Sequence, residues 1–164
     1  MSVRSICVYC GAQSGGPAAY ARAAAALGAA IAREGLILVN GGGSVGLMGV
    51  VADAALAAGG KVIGVIPRLL MRRELVHRGL TELVVTESMQ ERKSKMAELS
   101  DAFAALPGGI GTLDELFEMW TWAQLGLHAK PCALINTEGY YDDLMAFLSR
   151  AERERGFRSN SPLE

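Results

Sequence analysis

Short apolar runs alternate along the chain with longer segments in which apolar residues recur every three or four positions. The runs are rich in residues that suit strands buried on both faces of a sheet. The predicted strands are Arg4–Cys10, Leu36–Val39, Lys61–Ile66, Glu82–Thr86, Ala102–Leu106 and Pro131–Ile135. The predicted helices are Pro17–Glu34, Val45–Ala58, Ser88–Leu99, Thr112–Leu125 and Tyr140–Arg155. This alternation predicts an α/β fold in which helices cover both faces of a parallel sheet.

Length and charge narrow the class of protein. The 164 residues suit a single domain over residues 1–164, with a polar tail from about residue 156 that we expect to fray. A formal net charge of -1 argues against a nucleic-acid partner, because such binding depends on many cations facing phosphates. The Ala18–Ala32 stretch is interrupted by Arg22 and is too short to span a bilayer, so no membrane partner is expected. Three cysteines without a secretory signal predict reduced thiols and a cytoplasmic location.

Two glycine-rich loops each follow a predicted strand and open a helix. The first, Gly41–Gly49, contains G-x-G-x-x-G, but it follows the second strand and the next strand ends in Pro67 rather than an acidic residue. A dinucleotide fingerprint is therefore not favoured. The second loop is Pro107–Thr112. Such loops let backbone N–H groups approach a phosphate at a helix N-terminus, whereas the alternative for the first loop is a tight turn without a ligand. The candidate phosphate-loop residues are Gly42, Gly43, Gly46 and Ser14.

Three cationic residues lie in the first two turns of the helix predicted from Ser88. Ser88 and Glu91 fit a capping box, and Arg92, Lys93 and Lys95 come next. The helix dipole disfavours cations there, which suggests a bound anion. For Lys95 we prefer a solvated helix face, and for Arg92 we prefer a functional role.

Thr112 and Glu115 also fit a capping box, with Glu115 as the third helical residue. Glu115 then has two interpretations. It caps its helix, or it directs a carboxylate into the cleft as a general base or cation stabiliser. Spacing alone favours the cap.

The remaining reactive residues do not form a recognisable centre. Cys7 and Cys10 are spaced C-x-x-C but end a strand, so buried thiols are favoured over a redox pair. Cys132, His77 and His128 lack metal-ligand spacing. We therefore expect no metal.

Three motifs together resemble one family. Pro107–Glu115 matches P-G-G-x-G-T-x-x-E, Gly41–Gly49 matches G-G-G-x-x-G-L-M-G, and Ser88–Lys93 resembles S-M-H-E-R-K, with Gln90 in place of the usual His. The chain is thus similar, over nearly its whole length, to the LOG ("lonely guy") family of cytokinin riboside 5′-monophosphate phosphoribohydrolases, many of which carry the older label "possible lysine decarboxylase".

The resemblance implies a Rossmann-like three-layer α/β/α fold, a homodimer and no cofactor. It implies a hydrolase that converts a purine nucleoside 5′-monophosphate, either a cytokinin riboside monophosphate or AMP, to free base and ribose 5-phosphate. It assigns catalysis to Arg92 and Glu115. The implied substrate-binding residues are Glu74, Arg92, Lys93, Gly109, Ile110, Gly111, Thr112, Leu113, Asp114, Glu115 and Thr121.

Two other functions are compatible with such a chain. One is decarboxylation dependent on pyridoxal phosphate, for which Lys93 would have to form a Schiff base. The other is a non-catalytic nucleotide carrier or sensor with the same fold. The presence of both Arg92 and Glu115 favours the enzyme.

Overall fold

The computed structural model describes residues 2–71 and 76–155. Within them, strands and helices alternate as the sequence predicts, apart from a 3-10 turn at Thr137–Gly139. The strands are Ser5–Tyr9 (β1), Ile37–Asn40 (β2), Lys61–Pro67 (β3), Glu82–Thr86 (β4), Ala102–Ala105 (β5) and Cys132–Leu134 (β6). The helices are Ala18–Arg33 (α1), Gly46–Ala57 (α2), Met89–Glu98 (α3), Ile110–Gln124 (α4) and Asp142–Arg155 (α5).

The strands form one parallel sheet in the order β4-β3-β2-β1-β5-β6. The chain proceeds outward from β1 to β4 and then returns to the other side of β1, where β5 pairs with it through Tyr9 and Ala105. The connections after β1 and β5 therefore leave the sheet in opposite directions, which opens a crevice at their carboxyl ends. This confirms the predicted α/β class and its Rossmann-like parallel sheet.

Alternate residues of the strands enter two separate cores. Cys7 lies in one core cluster with Met96 of α3 and Met119 of α4. Its neighbour Val8 lies in the other cluster with Val51 of α2. The sheet is thus covered on both faces, as the unbroken apolar runs predict for strands buried on both sides.

Helix α4 begins at Ile110, two residues earlier than predicted, and this corrects the capping box at Thr112. The N-cap is Gly109, which has an extended backbone and no side-chain cap bond. Glu115 is the sixth helical residue, beyond the reach of a cap, so the capping interpretation of Glu115 is wrong. The sequence pattern misplaced the start because glycine is itself tolerated at the N-cap.

The other predicted boundaries differ from the observed ones by at most two residues. Ser88 caps α3 as predicted, since its hydroxyl accepts a hydrogen bond of 3.0 Å from the Glu91 N–H. Helix α5 starts at Asp142 rather than Tyr140, because Glu138 with a φ of 54° and the 3-10 turn interrupt the helical path. The predicted fraying tail from about residue 156 lies outside the described residues. No described helix has both the length and the apolar character needed to cross a membrane.

Candidate active site

A cavity of about 560 Å³ opens at the carboxyl ends of β1 and β5. Its walls are residues 10–15 of the β1–α1 loop and residues 107–109, 111 and 112 of the second glycine loop, with Arg92 and Glu115 facing it from α3 and α4. The volume is that of a small-molecule site, and the position is the switch point where open α/β sheets bind ligands. The fold therefore brings the two predicted catalytic residues to one cavity.

Two backbone carbonyls hold the guanidinium of Arg92. Its Nε donates to the Val65 carbonyl in β3, and its Nη2 donates to the Gly41 carbonyl just after β2, each at 2.9 Å. The residue is 4% exposed. Both acceptors are neutral carbonyls, so these bonds orient the guanidinium without neutralising its charge. A cation lining a half-enclosed cavity suits an anionic or electron-rich ligand.

Glu115 is half-buried and faces the end of β1. Burial raises the pKa of Tyr9 and of Cys10, and the negative charge of Glu115 raises both further. The pKa of Cys10 rises to about 12. Since Cys10 also lines the cavity, its thiol stays protonated at neutral pH and is a poor nucleophile. Glu115 is therefore the candidate reactive group in this part of the cavity.

Cys7 is buried as predicted, on the opposite face of β1 from Cys10. All three cysteines are free and buried. Among residues 2–71 and 76–155, no three metal-ligating side chains are grouped so as to hold an ion.

The second glycine loop is open toward the cavity. Gly109 and Gly111 line it, and a Cβ added at either would meet no neighbouring element within 4 Å. The first turn of α4 carries no acidic residue and no side-chain cap, so its N–H groups present the positive end of the helix. This is the arrangement expected of a phosphate site. Ser14 also lines the cavity.

The first glycine loop is packed rather than open. The Gly42 N–H donates to Asn40 Oδ1 at 2.9 Å, and the Gly43 N–H contacts Met48 Sδ at 3.1 Å. A Cβ on Gly46 would lie 2.3 Å from the carbonyl carbon of Ala12, so glycine there allows the loop to contact the β1–α1 loop closely. Gly42, Gly43 and Gly46 do not line the described cavity, and their phosphate role stays a prediction.

Lys93 and Asp114 connect the two helices that carry Arg92 and Glu115. Lys93 Nζ lies 3.2 Å from Asp114 Oδ2 and 2.8 Å from Glu118 Oε2. These carboxylates, Glu118 first, hold the pKa of Lys93 above its usual value, so the ammonium stays charged. Asp114 borders the cavity, whereas Lys93 does not line it.

Other residues implied by the resemblance lie outside the cavity wall. Ile110 is 85% exposed, Leu113 is half-buried, and Thr121 is exposed farther along α4. Glu74 lies outside the described residues. Substrate contacts for these four residues stay predictions.

Several cavity residues were missed by the sequence patterns. Tyr20 and Tyr140 stand at one side with their rings at 79° and 5.4 Å apart, while Met48 and Met89 form an apolar part of the wall. Tyr140 follows β6, so its position at the carboxyl edge of the sheet was the available signal.

The positions of the lysines bear on Schiff-base chemistry. The chain has four lysines, and none of them lines the cavity. Lys93 is engaged by two carboxylates, and Lys130 Nζ donates to the Ala97 carbonyl. A nucleophilic amine at this site is therefore not supported.

Comparison with known proteins agrees with this geometry. The family model described as "Possible lysine decarboxylase" matches residues 48–162, more than half of the chain. The chain belongs to this family. It is 51% identical over 156 residues to the probable cytokinin riboside 5′-monophosphate phosphoribohydrolase LOGL5 of Oryza sativa subsp. japonica, covering 95% of this chain and 63% of that protein. The predicted LOG-family membership is confirmed.

A bacterial relative and a solved structure extend the comparison. The cytokinin riboside 5′-monophosphate phosphoribohydrolase of Rhodococcoides fascians is 51% identical over 152 residues, which cover 92% of this chain and 77% of that protein. The molybdenum cofactor binding protein of Rippkaea orientalis superimposes with a TM-score of 0.72 at 29% identity, over 92% of this chain and 86% of that chain. The chain thus spans less than two thirds of the rice relative but most of the other two proteins.

Proposed function

We propose that this chain is a phosphoribohydrolase that cleaves the N-glycosidic bond of a purine nucleoside 5′-monophosphate. The products are the free base and ribose 5-phosphate. The observation that carries the proposal is the meeting of Arg92, Glu115 and the open N-terminus of α4 in one cavity. The activity for which relatives about half identical to the chain are named supports it.

The phosphate is the substrate group that fits the glycine side of the cavity. Uncapped N–H groups at the start of α4 are donors for phosphate oxygens, and Gly109 and Gly111 leave room for close approach. Ser14, which also lines the cavity, supplies a hydroxyl. Gly109, Gly111 and Thr112 are therefore the proposed phosphate contacts.

Glu115 is the proposed catalytic carboxylate. As the bond between C1′ and the base nitrogen breaks, positive charge develops at C1′ and the ring oxygen, as in glycoside hydrolysis. A nearby carboxylate stabilises that charge and accepts a proton from the attacking water. The water oxygen then bonds to C1′ as the C1′–N bond breaks. The departing base takes one proton from solvent and Glu115 releases the one it accepted, so that Glu115 is a carboxylate again. The cavity lining gives Glu115 access to such a substrate.

Arg92 is the proposed cation of the site. Its two backbone hydrogen bonds fix the guanidinium plane, so its remaining N–H donors have a set direction. A fixed cation holds a ribose oxygen or stabilises electron density on the departing base. The contacts of Glu74, Lys93, Ile110, Leu113 and Thr121 with substrate are further proposals from the family resemblance.

A nucleotide carrier is the second candidate, because the Rippkaea orientalis protein of similar fold is named as a binding protein. One assay separates the two. The chain is incubated with AMP and with isopentenyladenosine monophosphate, and free base and ribose 5-phosphate are measured over many turnovers. Catalytic release supports the hydrolase, whereas stoichiometric binding without release supports the carrier. The same assay gives the base preference.

We also propose that the chain forms a homodimer in the cytoplasm and binds neither nucleic acid nor membranes. Exposed apolar residues on α4 and α5 and after α4 support an interface, and buried free thiols suit a reducing compartment. These exposed residues are Ile110, Leu125, Leu127, Met145 and Phe147. Light scattering should give twice the 17.3 kDa of one chain. A mass of 17.3 kDa at micromolar concentration would rule out a stable dimer.

A further inference from the structure

Three consecutive carbonyls just before the N-cap of α4 are each held by a neighbouring element. The Leu106 carbonyl accepts a hydrogen bond from the Tyr141 hydroxyl at 2.6 Å. The Pro107 carbonyl accepts one from the Gly11 N–H at 3.1 Å. The Gly108 carbonyl accepts one from the Tyr140 hydroxyl at 2.5 Å. Two adjacent tyrosines thus hold the segment that leads into the second glycine loop.

The ring of Tyr140 is itself held in place. It meets Tyr20 edge-on at 5.4 Å and Tyr141 edge-on at 4.9 Å. The backbone before α5 is fixed as well, because Asn136 Oδ1 accepts a 2.7 Å hydrogen bond from the Tyr141 N–H. The phenol hydroxyl therefore approaches Gly108 from a defined direction.

Holding the Gly108 carbonyl also orients the next N–H. The peptide unit is planar and trans, so the carbonyl of Gly108 and the N–H of Gly109 point in opposite directions. Neither glycine has a side chain to restrict it, and glycine is the residue with the most backbone freedom. The bond from Tyr140 therefore restricts this peptide plane at the edge of the cavity.

We infer that Tyr140 is a positioning residue that preorganises the N–H groups of the second glycine loop for the substrate phosphate. The inference rests on the proposed function for the identity of the anion. It assigns Tyr140 to phosphate affinity rather than to bond cleavage, because its hydroxyl is directed to a loop carbonyl.

Tyr141 provides a matched control of the same chemistry. Its hydroxyl also bonds a backbone carbonyl, but that of Leu106, just before the loop, and Tyr141 is 2% exposed and does not line the cavity. Tyr140 is 42% exposed and lines it. Removal of the hydroxyl should therefore affect binding at Tyr140 and stability at Tyr141.

The experiment compares wild type, Tyr140→Phe and Tyr141→Phe. We measure KM and kcat for AMP, or its isopentenyl form if only that is hydrolysed, and for the matching nucleoside, and the affinity for ribose 5-phosphate by calorimetry. For Tyr140→Phe, KM for the nucleotide and Kd for ribose 5-phosphate should rise together by about fivefold, typical of one lost hydrogen bond. The kcat and the nucleoside kcat/KM should be unchanged. Amide exchange of residues 108–111 should be faster without ligand.

Tyr141→Phe should lower the melting temperature and leave Kd for ribose 5-phosphate unchanged. An unchanged Kd in Tyr140→Phe, or equal losses for nucleotide and nucleoside, would overturn the inference. Wild type that binds ribose 5-phosphate but releases no base would instead overturn the proposed function. The Kd comparison between wild type and Tyr140→Phe would still decide the role of Tyr140.

Discussion

The two glycine-rich loops each follow a strand and open a helix, but their surroundings in the structure differ. In the loop after β2, Gly42 and Gly43 direct their N–H groups to Asn40 and Met48. In the loop after β5, Gly109 and Gly111 border open space in the cavity. Glycine therefore serves close packing in the first loop and access for a ligand in the second.

The first loop still contributes to the site, through Arg92. A Cβ on Gly41 would lie 2.2 Å from Arg92 Nη2, so the missing side chain makes room for the guanidinium. The Gly41 carbonyl then accepts its hydrogen bond. The comparison teaches that a glycine-rich sequence after a strand does not by itself distinguish a loop that borders an open cavity from a loop that seats a buried arginine.

The largest expected effect on turnover comes from a substitution in α4, the helix that follows the second loop. Glu115→Gln should lower kcat by roughly a hundredfold or more, because an amide neither carries the negative charge nor accepts the proton. Since Glu115 is not a cap, a lost cap would not explain the loss of turnover, and the variant should stay folded. Steady-state kinetics and thermal melting on the same sample check both statements. Near-normal turnover would defeat the catalytic assignment.

Most of the fold could be predicted from local sequence. Each predicted strand and helix is present, because the apolar runs of β1 to β6 and their intervening helical periods are signals within short windows. The start of α4 was misplaced, since Thr112 and Glu115 match a cap pattern that Gly109 fulfils without a side chain. The strand order could not be derived from local sequence, because it depends on pairings such as Ile6 with Ala102.

The site was predictable in composition but not in arrangement. The cationic helix start indicated Arg92, yet its acceptors Val65 and Gly41 are 27 and 51 residues away in sequence. No local pattern reports such contacts. The same holds for Tyr140, whose hydroxyl reaches a carbonyl 32 residues away.

Removing the substrate phosphate tests whether the second loop is the ligand loop. The nucleoside should have a kcat/KM lower than the nucleotide by roughly tenfold to a hundredfold, since charge-assisted hydrogen bonds contribute about 1.5–3 kcal/mol. Kinetics with AMP and adenosine, or with their isopentenyl forms, measure the ratio. Equal values would show that the open N-terminus of α4 does not bind the phosphate.

Alanine substitutions compare the loops directly. Gly46→Ala places a side chain at a φ of 63° and against the Ala12 backbone, so the free energy of unfolding should fall by about 1–3 kcal/mol. Gly111→Ala meets open space within a helix, so stability should hold or rise slightly. Its KM for the nucleotide should rise because the methyl group enters the cavity. Denaturant unfolding and kinetics provide the two measurements, and equal stability losses would mean that the loops are alike.

Arg92 and Lys93 extend the comparison of the two loops. They are adjacent in sequence, but one contacts the first loop and the other contacts the helix after the second loop. Arg92 bonds the first loop at Gly41, whereas Lys93 pairs with Asp114 and Glu118 on the helix opened by the second loop. The family resemblance implies a substrate contact for Lys93. Its ion pairs instead predict that it sets the spacing of α3 and α4.

Lys93→Met is the smallest expected effect and decides between these roles. If Lys93 acts between the helices, kcat/KM should fall by about two- to fivefold for nucleotide and nucleoside alike, and stability by about 0.5–1 kcal/mol. The control is Lys95→Met, which removes only the surface pair with Glu98 and should be nearly neutral. Combining Lys93→Met with Asp114→Asn should cost less than the sum of the single effects, because the two side chains share one ion pair. A rise in KM confined to the nucleotide would show that Lys93 reaches the phosphate, and the spacing role would then be wrong.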